Sequence, residues 1–127
     1  MREIDGDLDK MAHAVIGAAI DVHRALGPGF LEAMYEEALC IELESRGIPF
    51  ARQVSVMATY RGRSIGNGKL DLLVGDRLVV ELKAVDALAP VHVAQALAYL
   101  RMTNKRLALL INFNVRLLRD GIQRIAL

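Results

Sequence analysis

Leu78-Val79-Val80-Glu81-Leu82-Lys83-Ala84 sets two opposite charges in a run that otherwise has the composition of a buried strand. A buried charge without a partner is costly, so Glu81 and Lys83 need compensation. The two-residue period of a strand puts them on the same face. Asp71 sits in the preceding extended stretch, opposite in direction to Leu70 and Leu72, and Gly75-Asp76 supplies a turn about which the two stretches can pair. The three side chains then converge. Two carboxylates and one ammonium make a hard oxygen site suited to Mg²⁺ or Mn²⁺, with water and phosphate oxygens filling the other positions. Zinc would require His or Cys. The same residues also fit a structural ion pair between Lys83 and one carboxylate, and the Asp-x9-Glu-x-Lys spacing alone does not separate the two.

Two further polar stripes accompany this set. His92, Gln95 and Tyr99 fall at i, i+3 and i+7 of a helical pattern, beside the apolar stripe of Val93, Leu97 and Leu100. Glu32, Tyr35 and Glu36 share a face in the same way. Each stripe also has an ordinary explanation, with tyrosines packed under a solvated hydroxyl and glutamates on a solvated helix surface.

The elements that position these residues follow from periodicity. Leu8, Met11, Val15, Ala18, Ala19, Val22 and Leu26 predict a helix over residues 8–26. Gly27-Pro28-Gly29 stops it, and a second periodic run predicts a helix over residues 30–46, ended by Gly47. The amides of that turn could meet an anion, but a helix stop explains the turn fully. Residues 53–60 alternate, with Val54, Val56, Ala58 and Tyr60 on one side, and Arg61-Gly62-Arg63 reads as a hairpin turn. Residues 64–74 resume extended character with Leu70, Leu72 and Val74 on one face, before the strand over 78–84. Pro90 opens a helix to about Thr103, residues 107–113 form a buried strand, and residues 115–127 read as a hairpin turning at Asp120-Gly121. Hairpin strands followed by a helical crossover predict an α/β fold, a mixed sheet flanked by helices.

A chain of 127 residues that is 54% hydrophobic can bury one core, so one domain over residues 1–127 is expected. Sixteen basic against 15 acidic residues give a net charge of +1, so any DNA or RNA contact must use a local patch. Arg52, Arg61, Arg63, Lys69 and Arg77 lie near the hairpin turns and are candidates to meet phosphates, although scattered arginines are commonly solvated surface. Cys40 is the only cysteine, which excludes an intrachain disulfide and a thiolate metal cluster and fits a reducing, cytoplasmic setting. Residues 1–7 are polar and acidic, and no apolar run approaches the roughly 20 residues that span a bilayer. Neither a signal peptide nor a membrane anchor is expected.

Gly29-Phe30-Leu31-Glu32-Ala33-Met34-Tyr35 resembles the signature of the GxxExxY protein family, and Val22-His23-Arg24-Ala25-Leu26-Gly27-Pro28 is similar to its lead-in. Glu81-Leu82-Lys83-Ala84, Pro90-Val91-His92, Gln95-Ala96-Leu97-Ala98-Tyr99-Leu100 and Leu110-Ile111-Asn112-Phe113 resemble its later blocks, in order. The resemblance covers most of the chain from His23 to Phe113. That family is placed in the PD-(D/E)XK nuclease superfamily, and the Gln95 to Tyr99 element resembles the third nuclease motif of RecB-type enzymes. The resemblance implies a restriction-endonuclease-like core and a nuclease that hydrolyses nucleic-acid phosphodiester bonds with Mg²⁺ or Mn²⁺. It further implies Asp71 and Glu81 as metal ligands, Glu32 as an auxiliary acid at the metal, Lys83 as the catalytic lysine, and Gln95 and Tyr99 as substrate or active-site supports. Leu70 stands where the superfamily name has proline, a residue that takes no part in the chemistry. His23 matches the lead-in, yet a lone histidine near a helix end also serves as a cap or packing residue.

The implied chemistry is in-line attack of water on phosphorus. Lys83 beside two carboxylates suits a cation that orients water and stabilises the transition state better than it suits a general base. Small size and near-neutral charge fit, alternatively, a noncatalytic nucleic-acid-binding or protein-interaction module that keeps the fold, or a structural subunit. A homodimer would enlarge the binding groove.

Overall fold

The computed structural model describes residues 4–127; residues 1–3 of the polar N-terminus lie outside it. Along the chain come α1 (Gly6–Leu26), α2 (Glu32–Ser45), β1 (Phe50–Tyr60), β2 (Arg63–Val74), β3 (Leu78–Lys83), α3 (Pro90–Thr103), β4 (Leu107–Asn112), a 3-10 turn (Leu118–Gly121) and β5 (Ile122–Ala126). The strands form one sheet in the order β1-β2-β3-β4-β5. Every pair is antiparallel except β3 and β4, which run parallel because α3 carries the chain back between them. The expected mixed α/β sheet flanked by helices is the one observed.

α1 and α2 cover one face, where Leu8, Val15, Leu39 and Leu43 pack against Leu72, Val80, Leu82 and Leu109. α3 covers the other, with Ala96 and Leu100 against Leu70, Leu73, Val79 and Leu110. β3 and β4 are buried on both faces, which is why their sequences run apolar without alternation.

Alternation along β1 and β2 reverses partway. Leu72 and Val74 join the cluster under α1 and α2, whereas Leu70 joins the one under α3. On β1, Phe50 packs with the first cluster and Val54 and Val56 with the second. The reversal is centred on Gln53, whose φ of 52° is left-handed. Pairing passes from Arg52↔Leu72 to Val54↔Leu70, skipping the rung at Gln53 and Asp71. One left-handed residue turns the strand, so Leu70 does not share a face with Leu72 and Val74 as uniform alternation predicts.

The C-terminal segment also departs from expectation. It is a 3-10 turn followed by one strand paired with β4, not a two-stranded hairpin. Gly121 lies so close to the end of β4 that a Cβ there would come within 2.2 Å of the Asn112 carbonyl oxygen.

Where α3 crosses β2, the Tyr99 ring rests on Gly68, and a Cβ at that position would meet a ring carbon at 2.7 Å. Gly68→Ala is therefore expected to cost about 1–3 kcal/mol in urea unfolding. The same substitution in a Tyr99→Ala background should cost under about 0.5 kcal/mol, because the clash is then gone.

Candidate active site

Three rungs, Val74↔Leu78, Leu73↔Val79 and Leu72↔Val80, join β2 to β3. At the next positions side chains replace main-chain carbonyls. The Asp71 N–H donates to Glu81 Oε2 at 2.9 Å, and the Leu82 N–H donates to Asp71 Oδ2 at 2.8 Å. Each carboxylate is anchored through one oxygen, so the direction of the other is fixed. Glu81 is only 8% exposed, and Asp71 is half-buried.

Burial, followed by repulsion from Asp71, pushes the Glu81 carboxyl up to about 8. Burial also raises Asp71, against the stabilising bond from the Leu82 N–H. Two adjacent buried carboxylates cannot both stay ionised cheaply, and both are raised, Glu81 strongly. Glu32, the first residue of α2, is raised by burial as well, with the Lys83 charge opposing and Asp71 and Glu36 adding to the rise. These couplings put the start of α2 beside the pair. Lys83 is electrostatically felt at Glu32, Asp71 and Glu81 without an ion pair to any of them.

The position of Glu32 is set by the turn before it. Gly27 and Gly29 have φ of 70° and 105°. The fully buried Tyr35 donates its hydroxyl to the Gly27 carbonyl at 2.5 Å and accepts the Phe30 N–H at 3.1 Å. Its ring stacks on Phe113 at 4.6 Å. This tie holds residues 27–30 out of the helix, so α2 begins at Glu32 and not at residue 30 as periodicity predicts. Tyr35 is thus a core residue rather than one under a solvated hydroxyl. His23 is buried too, and its Nε2 bonds the Val115 carbonyl at 2.7 Å, a packing role that joins α1 to the segment after β4.

Three supporting residues, Glu36, Asn112 and His92, escaped assignment from sequence. Glu36, buried one turn after Glu32, accepts Arg52 Nε–H and Gln53 Nε2–H, each at 2.8 Å, and so holds the left-handed Gln53 opposite Asp71. Asn112, 1% exposed, accepts the Val85 N–H at 3.1 Å and donates to the Val85 carbonyl at 2.9 Å. It fixes the chain just beyond Lys83, whose own carbonyl accepts the Phe113 N–H. The readable signal for Asn112 was a lone polar residue ending an apolar strand. His92 Nδ1 accepts the Ala89 N–H at 2.9 Å, capping α3. Tyr99 lies against β2 three residues before Asp71, while Gln95 is exposed and makes no hydrogen bond among the described residues.

Among the described residues, no three His, Cys, Asp or Glu side chains form a group that could hold a metal ion. The acidic pair alone still matches a hard divalent cation, since its donors are anchored oxygens and Mg²⁺ keeps several waters. It does not match the nitrogen and sulfur shell of structural zinc. A pocket of about 520 Å³ lies elsewhere, between the end of α1 and the 3-10 turn, lined by His23, Arg24, Arg116 and Arg119 among others. No helix among the described residues is long and apolar enough to cross a membrane.

An antiparallel β1-β2-β3 unit, a helical crossover and a parallel β4, with acids and a lysine where β2 parts from β3, define a restriction-endonuclease-like α/β fold. The family model of the PD-(D/E)XK nuclease superfamily matches residues 9–125, and the chain belongs to that superfamily. No curated protein and no solved structure matches the chain.

Two outcomes follow from this geometry. Because Glu81 is raised from 4.5 to about 8 on folding, the folded state holds a proton that the unfolded state releases above about pH 4.5. In EDTA, stability should fall by on the order of 3 kcal/mol as pH rises from about 5 to about 9. Glu81→Gln, which can still accept the Asp71 N–H, should lose that slope and exceed the wild type in stability at about pH 8, as read by urea unfolding across pH. Asn112→Leu should cost about 2–4 kcal/mol in the same assay, since it takes the acceptor from the Val85 and Asn114 N–H groups and leaves the Val85 carbonyl only a long bond from Asn114.

Proposed function

We propose that the chain is a divalent-metal-dependent nuclease of the GxxExxY type, acting on DNA or RNA phosphodiester bonds through Asp71, Glu81 and Lys83. The observation that carries this reading is the anchored acidic pair, with the Glu81 carboxylate held by the Asp71 N–H and the Asp71 carboxylate by the Leu82 N–H, side by side where burial raises both and repulsion from Asp71 adds to the rise of Glu81. A site needed only for folding gains nothing from that repulsion.

In this reading Asp71 and Glu81 hold Mg²⁺ or Mn²⁺, with Glu32 as the auxiliary acid from α2. A bound ion would supply Lewis acidity toward water and toward a phosphate oxygen. Glu81 would have to be deprotonated to hold the ion. Lys83 orients the attacking water and stabilises charge growing on the non-bridging oxygens. Gln95 and Tyr99, on α3, support the substrate beside β2. One domain spans residues 1–127, and a cytoplasmic setting agrees with a buried Cys40 thiol that burial pushes up to about 11. The lack of a third ligand side chain among the described residues favours a second reading, a noncatalytic nucleic-acid-binding module.

Titration of Mn²⁺ into wild type and Asp71→Asn, with cleavage of single- and double-stranded DNA and RNA on the same samples, separates the two. The wild type should bind Mn²⁺, release close to one proton near pH 7, and cleave; Asp71→Asn should cleave at least about 100-fold more slowly. Wild type that neither binds Mn²⁺ nor cleaves any of the four substrates transfers the assignment to the noncatalytic module. Lys83→Arg should lose cleavage if water geometry matters and keep it if any cation suffices.

A further inference from the structure

Beyond the reversal at Gln53, β1 and β2 continue as a two-stranded arm that ends at Arg61 and Gly62, both left-handed, with φ of 51° and 75°. One face of the arm carries Val54, Val56 and Leu70 and packs under α3, with Tyr99 across Gly68. The opposite face carries Ser55, Met57, Asn67 and Lys69, all exposed. Met57, Tyr60 and Ile65 are each more than half exposed.

The charge on this arm is of one sign. Residues 54–70 include Arg61, Arg63 and Lys69 and no Asp or Glu, so the rest of the chain sets 13 basic against 15 acidic residues. The structure also sorts the five cations that cluster near the hairpin turns. Arg52 is bound to Glu36 and Glu37, and Arg77 to Asp5. Arg61, Arg63 and Lys69 make no ion pair or hydrogen bond from their side chains among the described residues. Lys69 lies two residues from Asp71 on β2, and yet the two are not paired.

We propose that this arm is a nucleic-acid track, along which the phosphate backbone of the substrate runs from Asp71 past Lys69 to Arg63 and Arg61 at the tip. The inference rests on the nuclease reading of the acidic site. From Lys69 to Arg63 the strand advances six steps, with a register shift opposite Ala58 and Thr59 that sets Arg63 across from Tyr60, and it spans about 20 Å, close to six base pairs at about 3.4 Å each. Ser55 and Asn67, on the same face as Lys69, are short and supply neutral donors. Contacts of this kind are read as charge, so the track binds without sequence preference and weakens with salt.

The test is fluorescence anisotropy of labelled single- and double-stranded oligonucleotides on the full chain, in EDTA, over a series of salt concentrations. The arm variant is Arg61→Asn, Arg63→Thr and Lys69→Thr together; asparagine tolerates the left-handed turn position and threonine suits a strand. The control variant is Arg116→Ala with Arg119→Ala. The arm variant should bind at least about 10-fold more weakly, with the slope of log affinity against log salt reduced by about 2–3, while the control stays within about twofold of wild type. Equal loss in both variants, or no loss in the arm variant, overturns the track. So does a wild-type dimer in sedimentation that the arm variant dissolves without any change in oligonucleotide affinity, because β1 is then a pairing edge for a second copy. Turnover of a small chromogenic phosphodiester by wild type but not by Asp71→Asn reports on the nuclease reading separately, so either can fail alone.

Discussion

The backbone N–H groups of Asp71 and Leu82 would bond carbonyls if β2 and β3 stayed paired, but they are taken by the carboxylates of Glu81 and Asp71. The strands can therefore part without leaving a buried donor unsatisfied. The same two bonds bring a pair of carboxylates together where water is largely excluded, and the result is a strongly raised Glu81. Such an arrangement needs stiff support. It comes from β3 and β4, buried on both faces and paired over their full lengths, and from Asn112, which pins the chain after Lys83.

A second constraint acts across the strand on the other side of Asp71. A non-glycine residue in the left-handed region costs roughly 1–2 kcal/mol, and Gln53 adopts that conformation in mid-strand. Glu36 offsets the cost by accepting from both Gln53 and Arg52, and the bond from the guanidinium is charge-assisted. The reversal lets the arm leave the layer of α1 and α2 and pack under α3 instead. Glu36 thus links the helix that carries Glu32 to the strand facing Asp71, so two sides of the site are tied directly to each other.

Most of the fold was legible because its elements obey simple periods. The helices showed apolar stripes, β3 and β4 showed unbroken apolar runs, and Gly27-Pro28-Gly29 and Gly75-Asp76 marked turns that the structure contains. Asp71, Glu81 and Lys83 were legible as charges in strands that bury their neighbours. What stayed hidden depended on contacts between distant elements. Nothing local in Ala51-Arg52-Gln53 announces a left-handed residue, since the reason is Glu36 on another element. Tyr35 read as a packing residue with a solvated hydroxyl because its partners, Gly27 and Phe113, are brought to it only by the fold. The Asp120-Gly121 pair looked like a hairpin turn by composition, and the close approach of Gly121 to β4 is a tertiary fact.

Charge placement joins the site to the arm. The ion pairs among the described residues tie elements together at the periphery, as in Arg77 with Asp5, Arg46 with Asp21 and Arg124 with Asp9. β2 does the opposite. It holds Asp71 in a cluster of excess negative charge and Lys69 and Arg63 in a region of excess positive charge, with no bridge between them. Clustering like charges and keeping opposite ones apart in this way opposes folding in a chain whose net charge is only +1. Crossing Lys69 onto Asp71 would have relieved both regions at once. The separation makes physical sense if the two are neutralised from outside by different parts of one ligand system, a cation at the carboxylates and an anionic polymer along the arm. β2 carries both, and the left-handed Gln53 across from their junction on β1 turns one away from the other, so the two strands would then act as a single device for holding a phosphate backbone across a metal.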